Sequence, residues 1–321
     1  MSTILDVGSL NADLVVQAPR FPQPGETISG NDLQIIPGGK GANQAVAAAR
    51  QGAEVAMVGR VGKDSFGPEL INNLKRNHVD TSYVRIDSDS STGTAIIVVD
   101  SNGQNSIVLS PGGNGKVIPA DLNAVPFSDY TLLLLQLEIP IEAVLSATQR
   151  AKESGLRVLL NPAPARPLPD ELISLPDFIL PNETELSLLT DQPVNDVASA
   201  EKAAKTLLER GAQNVIVTLG AKGALIVSRN QVTHVNAYKV EVVDTTAAGD
   251  AFIGGFAAKL LESNGLPLDA QELALALQNA VRYGCACGAL AATKFGAQPS
   301  LPSKEDVENF LNQPAVVAKH P

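Results

Sequence analysis

The segment Asp244-Thr-Thr-Ala-Ala-Gly-Asp250 sets two carboxylates at the ends of a run of small residues. A strand-like stretch, Val240 to Val243, leads into it, and an amphipathic pattern from Ala251 to Ser263 leads out. If that pattern is a helix, the backbone N–H groups of Ala247, Ala248 and Gly249 are free to converge at its start, an anion hole for charge on a transferring phosphoryl group. Asp250 then projects from the first turn, where it can take a proton from an attacking hydroxyl. The helix dipole makes such a carboxylate a weak base, which suffices when the transition state is loose and the proton moves late. An aspartate that merely satisfies a helix N-terminus would look the same at this position.

Pro37-Gly-Gly-Lys-Gly-Ala-Asn43 opens an alanine-rich helical pattern, Gly41 to Arg50, and its glycines let backbone approach a ligand where a side chain would block it. It is not a Walker A loop, because Gln34 stands where the first Gly should be and Gly41 where the hydroxyl should be. A plain glycine-rich turn fits equally, although Asn43 beside the glycines suits a polyol. Asn11 and Asp13 follow the first strand-like run in what reads as a loop, Ser9 to Asp13. Glu138 closes the apolar run Leu132 to Leu137, where a carboxylate must be solvated, paired or bound to a ligand. Asn182 and Glu185 are three apart at a helix start, a spacing that serves both a capping box and an acid holding waters around Mg²⁺. Thr218-Leu-Gly-Ala-Lys-Gly223 follows a strand and either wraps nucleotide phosphates or simply turns the chain. His78, His234 and His320 stand apart from the acidic motifs and are assigned no role.

These residues need a scaffold, and composition allows one large domain. The 321 residues are 44% hydrophobic and 18% charged, enough apolar surface for a sizeable core. A net charge of -10 without a Lys/Arg cluster argues against a nucleic-acid partner, while ATP can still be met by local N–H groups and a few cations. Cys285 and Cys287 lie two apart, on nearly opposite sides of a helix, which suits neither a disulfide nor zinc. The N-terminus lacks a basic region followed by an apolar run, and no stretch is long enough to span a bilayer, so a cytoplasmic protein without a membrane partner is expected.

Helix and strand patterns alternate: Ile4 to Val7 strand, Gly41 to Arg50 helix, Glu54 to Val58 strand, Phe66 to Asn77 helix, Thr131 to Leu137 strand, Ile141 to Ser154 helix and Arg157 to Leu160 strand. Strands at Phe178 to Leu180 and Val215 to Leu219 flank a helix around Val197 to Glu209. A hairpin, Ala224 to Ser228 with Gln231 to Val235, and a helix from Ala270 to Ala292 complete the series. The alternation predicts an α/β fold with a central, mostly parallel sheet covered by helices on both faces. Short pieces between Pro19 and Pro37, with Thr94 to Asp100 and Ser106 to Leu109 joined by Asn102-Gly103, predict a small sheet outside that core.

Gly8-Ser-Leu-Asn-Ala-Asp13, Pro24-Gly-Glu-Thr27, Gly38-Gly-Lys-Gly-Ala-Asn-Gln44, Asn161-Pro-Ala-Pro-Ala165, Pro181-Asn-Glu-Thr-Glu185, Asp244 to Asp250 and Gly296-Ala-Gln-Pro-Ser300 together resemble the ribokinase/PfkB family of carbohydrate kinases, from residue 4 to about residue 311. The resemblance implies a single ribokinase-like domain over residues 1–321, with a β lid at about 12–37 and 92–110 that often pairs two subunits into a homodimer. It implies Mg-ATP-dependent phosphorylation of D-ribose at the 5-hydroxyl, with Asp250 as base and Ala247, Ala248 and Gly249 as anion hole. Sugar contacts are implied for Asn11, Asp13, Gly39, Lys40, Gly41, Asn43, Glu138 and Asp250. ATP contacts are implied for Asn182, Thr218, Leu219, Gly220, Ala221, Lys222, Gly223, Gly249 and position 285.

Glu185 would act near magnesium through water. A monovalent cation, usually potassium, would be held by Asp244, Thr246, Ala291, Lys294, Gly296 and Ser300. The chain departs from the family pattern at Cys285, where Asn or His often lies near adenine, at Lys294, which replaces a frequent Arg, and at Ala251 after the base. A kinase of another small sugar or a nucleoside, or a catalytically idle sugar-binding regulator, are the competing readings.

Overall fold

The computed structural model describes residues 3–262 and 269–313. The expected helix end at Ser263 and His320 lie outside the described residues. In chain order the strands are β1 (Thr3–Val7), β2 (Asn11–Gln17), β3 (Gln34–Gly38), β4 (Glu54–Gly62), β5 (Val79–Asp87), β6 (Gly93–Val99), β7 (Asn105–Ser110), β8 (Leu132–Leu135), β9 (Arg157–Leu160), β10 (Phe178–Ile179), β11 (Asn214–Thr218), β12 (Ala224–Ser228) and β13 (Val232–Val235). The helices are α1 (Lys40–Arg50), α2 (Phe66–Arg76), α3 (Ile141–Glu153), α4 (Asp170–Ser174), α5 (Glu183–Thr190), α6 (Val197–Glu209), α7 (Ala248–Glu262), α8 (Ala270–Ala291) and α9 (Lys304–Leu311).

Nine of these strands form one sheet in the order β13-β12-β11-β10-β9-β8-β1-β4-β5. All neighbours are parallel except at the β11-β12-β13 edge, which is antiparallel. Parallel strands buried on both faces need apolar side chains at every position, and the four leucines of β8 are all fully buried. The period-two pleat divides them: Ile4, Leu132 and Leu134 pack under α1, α7 and α8, whereas Leu5, Val7, Leu133 and Leu135 pack under α3, α5 and α6. The α/β class expected from the alternation is therefore what is found.

β1 pairs with β4 on one side and β8 on the other, so the chain leaves β1 in one direction and later returns to continue in the opposite one. Such a switch point opens a crevice beyond the carboxyl ends of the strands. Ser9 follows β1 there and Glu138 follows β8.

The remaining strands form a separate four-stranded sheet, β3-β2-β6-β7. Three local expectations fail. Asn11 and Asp13 are not in a loop but begin β2, because they pair with β3 and β6 on either side. Val240 to Val243 forms no strand: its backbone is tied instead to the end of α8, Val243 N–H and Asp244 N–H both donating to the Ala292 carbonyl at 2.8 and 3.2 Å. With no sheet edge beside them, Val242 and Val243 stay exposed. Residues 18–33 likewise contain no strand, and β5, which extends the large sheet beyond β4, lacked a strand-like reading because polar residues interrupt it.

Candidate active site

α7 starts at Ala248, directly after Ala247, whose φ of 58° is a left-handed conformation that a β-carbon disfavours. That turn aims the start of the helix at the crevice and leaves the Ala247 and Gly249 N–H groups without hydrogen bonds among the described residues. Ala248 departs from expectation, since its N–H is taken by the Thr245 carbonyl at 3.2 Å, which closes the turn. A β-carbon placed on Gly249 would meet nothing within 4 Å, so open space lies in front of the helix.

Asp250, buried in the first turn, is gripped from the opposite wall. Its Oδ2 accepts from Asn43 Nδ2 at 2.9 Å and its Oδ1 from Gln44 Nε2 at 3.0 Å. Both partners sit in the first turns of α1, which the glycine-rich segment brings close. A β-carbon on Gly41 would lie 2.6 Å from the Ser9 nitrogen and 2.7 Å from Gly8 Cα, backbone atoms that cannot yield. Gly39, at φ 90°, turns the chain from β3 into the helix.

The β1 and β8 ends meet this wall. Glu138 Oε2 accepts from Ser9 Oγ at 2.5 Å and from Lys40 N–H at 3.0 Å. Asn11 Oδ1 accepts from Asn114 Nδ2 at 2.7 Å, and Asp13, two residues along the same strand face, is buried beside Gly38. Burial, reinforced by the charges of Glu138 and Asp250, pushes the Asp13 carboxyl up to about 7. Burial lowers the Lys40 ammonium, but the carboxylates of Asp250, Glu138 and Glu185 outweigh it and leave its pKa raised. One half-buried cation thus stands among several carboxylates, an arrangement that favours a ligand carrying both hydroxyl donors and phosphate.

A cavity of about 210 Å³ holds Asp250, Gly249, Ala247 and Lys40 together with Asn182, Glu185 and Thr218. Asn182 and Glu185 do form the capping box of α5: Glu185 oxygens accept from Asn182 N–H at 2.8 Å and Asn182 Nδ2 at 2.9 Å. Burial raises the Glu185 carboxyl against the pull of that bond and of Lys40. Thr218 ends β11, and residues 219–223 make the tight turn into β12, where Leu219 N–H donates to the Gly223 carbonyl at 2.8 Å. The capping residues Asn182 and Glu185 thus line the cavity, as does Thr218, whereas the turn residues 219–223 do not.

A larger cleft of about 950 Å³ lies between the inner face of the small sheet, including Asp13, Val15 and Ile97, and the Val242 to Thr246 and Phe295 to Ala297 segments. Thr245 borders both spaces. Asp244 joins the two segments: Oδ1 accepts from Thr246 N–H and Oγ1, and Oδ2 from Gly296 N–H at 2.9 Å. Ser300 Oγ donates to the Ala297 carbonyl, and the Ala291 carbonyl accepts from Lys294 N–H at 3.1 Å. Cys285 and Cys287 are free and buried, and burial pushes the Cys285 thiol up to about 12. Cys285, on α8, belongs to the buried core and is not among the residues lining either space.

Gln44, Gln136 and Asn161, which no spacing in the sequence marks as a group, carry the hydrogen bonds behind Asp250. The available signal was a run of amides adjoining the glycine loop and the strand ends, which only acquires meaning once those ends converge.

Residues 1–304 match the pfkB family of carbohydrate kinases. The chain belongs to that family. It is 42% identical over 311 residues to a ribokinase of Haemophilus influenzae, covering 96% of this chain and 98% of the relative. It is 40% identical over 309 residues to a deoxyribokinase of Salmonella typhi, covering 95% and 97%. Among solved structures, ribokinase from Arabidopsis thaliana complexed with ribose and ATP superposes with a TM-score of 0.87 at 33% identity, covering 98% of this chain and 100% of that one. The protein is thus a sugar kinase with the ribokinase-like α/β fold. No helix among the described residues is long and apolar enough to cross a membrane.

Proposed function

We propose that the protein transfers the γ-phosphoryl group of ATP to the 5-hydroxyl of D-ribose, giving ribose 5-phosphate and ADP. The observation that carries this reading is Asp250, buried at a helix start with open space before Gly249 and held in plane by Asn43 and Gln44. The ribokinase-named relatives support the choice of sugar.

Sugar hydroxyls are met by Asn11, Asp13, Gly39, Lys40, Gly41, Asn43 and Glu138, which leaves the primary hydroxyl facing Asp250. As that oxygen bonds to the γ-phosphorus and the bond to the β,γ-bridging oxygen breaks, its proton passes to Asp250 and ADP leaves with the bond electrons. The N–H groups at Ala247 and Gly249 receive the developing charge, with Ala248 joining if its turn bond opens. Asn182 and residues 218–223 hold the nucleotide, while Cys285, buried and lining neither cavity, carries less of that reading.

No group of three or more His, Cys, Asp or Glu side chains that could hold a metal occurs among the described residues. That fits Mg²⁺, which binds through few protein ligands and arrives with the phosphates. Glu185 retains acceptor capacity beyond its bonds to Asn182, so it suits a water-bridged role, and the bound Mg²⁺ would neutralise phosphate charge. Asp244, the backbone at Thr246, Ala291, Lys294 and Gly296, and Ser300 would supply oxygen donors of the kind that suits K⁺, which would add positive field beside the anion hole.

We further infer a homodimer through the small sheet. Leu14, Ile35, Ile96 and Val108 are in register across β2, β3, β6 and β7 on its outer face, and the last three are exposed. Such an apolar row suits a second copy. Two free, buried thiols accord with a cytoplasmic setting. The test of substrate is ADP release over a panel of ribose, 2-deoxyribose, fructose and nucleosides, with and without K⁺. Highest kcat/KM for ribose is expected. A deoxyribose preference would move the assignment to the second reading, which the deoxyribokinase relative keeps open.

A further inference from the structure

Asp6 is a carboxylic acid in the middle of the sheet, and nothing in the phosphoryl transfer uses it. It lies on β1 with no exposed surface, on the same pleat face as Ile4, between β4 and β8. On β8 the matching face runs Leu132, Leu134 and then Gln136, also fully buried. An acid there must be paired or neutral.

The hydrogen bonds around it can be followed inward from the base. Gln44 Nε2 donates to Asp250 Oδ1 at 3.0 Å and to Asn161 Oδ1 at 3.1 Å, and Asn161 is itself oriented by Nδ2 donating to the Leu180 carbonyl at 2.9 Å. Two acceptors on one side fix the amide of Gln44, so its Oε1 faces away and accepts from Gln136 Nε2 at 2.8 Å. The same Gln136 Nε2 donates to Asp6 Oδ2 at 3.2 Å. Flipping Gln136 would set two carbonyl oxygens against each other, so its orientation is fixed in turn.

What remains is a pair of acceptors. Gln136 Oε1 and Asp6 Oδ1 are both buried without a hydrogen-bond partner. They also lie on the same side of the chain, since a β-carbon on Gly8 would come within 3 Å of both, nearest to Gln136 Oε1 and 2.9 Å from Asp6 Oδ1. One proton between them satisfies both atoms and closes the eight-membered ring of an acid–amide pair.

We propose that Asp6 is a positioning residue held as the undissociated acid, its Oδ1–H donating to Gln136 Oε1, and that this pair anchors the amide chain that sets the plane of Asp250. Burial pushes the Asp6 carboxyl well above its ordinary range, the Gln136 bond opposes this, and the Asp250 charge adds to it. The positioning role rests on the reading of Asp250 as base; the protonated acid does not.

Two measurements on the full-length protein test the proposal. An infrared difference spectrum of wild type against Asp6→Asn is expected to show the carbonyl stretch of an undissociated, hydrogen-bonded acid lost in the variant, and its absence overturns the proposal. In steady-state kinetics with ribose and ATP, Asp6→Asn keeps an N–H for Gln136 Oε1 and is expected to hold kcat within about twofold. Asp6→Ala is expected to lower kcat about tenfold, the order of one hydrogen bond, with both KM values within about twofold. Equal losses in the two variants, or undiminished kcat in Asp6→Ala, overturn the positioning role. Should Asp6→Ala fail to fold, the spectrum and Asp6→Asn decide. Turnover that survives Asp250→Ala would instead remove the base and leave the infrared result standing.

Discussion

The two walls of the crevice are built differently. The floor, where α1 meets α7, is packed backbone against backbone: a β-carbon on Gly254 would lie 2.7 Å from the Ala48 nitrogen, and one on Gly41 no farther from the β1 loop. Every amide behind Asp250 is buried and directed. Among the described residues the small sheet opposite has a small core cluster, Val15 and Ile36 with Ala297, with a cleft under one face and exposed apolar side chains on the other. Asn11 and Asp13 stand where the two meet. The contrast assigns tasks: rate should depend on the floor, which is over-determined, sugar affinity on the junction, and assembly on the outer face.

The sharpest way to break that division is Asp250→Ala. Loss of a positioned base is expected to lower kcat by about 10²–10⁴-fold, while ribose and ATP affinities by calorimetry stay close to wild type. Unchanged turnover would deny the floor its chemical part.

Asp13→Asn probes the junction and should act on KM. Replacing a charged acceptor of sugar hydroxyls with an amide is expected to raise the sugar KM about 10–100-fold, with a smaller change in kcat. Because Asp13 is pushed up to about 7, the sugar KM of wild type should fall as pH rises toward that value and level off above it; a KM profile flat in wild type would contradict this. Stability moves the other way. Between the ordinary value of 3.8 and about 7 the folded state keeps a proton that the unfolded chain releases, so this group makes stability decline as pH rises across the window. Thermal melts of Asp13→Asn should lose that component.

Val108→Asp tests the outer face and carries the smallest catalytic effect. It is expected to convert dimer to monomer by light scattering, with kcat within about twofold. A monomeric wild type, or a dimer indifferent to the charge, would return the apolar row to surface decoration.

Much of this is legible in the residues. The apolar runs of β1, β8 and β9 and the 3.6-residue patterns between them specify a parallel sheet with two helical layers, because such strands cannot leave either face in water. The small residues before Asp250 and the glycines before Asn43 are likewise readable, since backbone can approach a ligand or another backbone only where side chains are absent. Tertiary structure alone settled which strand-like pieces find partners. Val240 to Val243 meets a helix end and stays irregular, while Asn11 and Asp13 acquire strands on both sides. Nor do spacings reveal that Asp6, Gln136, Gln44 and Asp250, spread over 245 positions, form one hydrogen-bonded line. Local pattern sets which face a side chain takes, but the partner of a buried polar atom depends on which strands and helices are neighbours, and that is fixed only when the chain closes on itself.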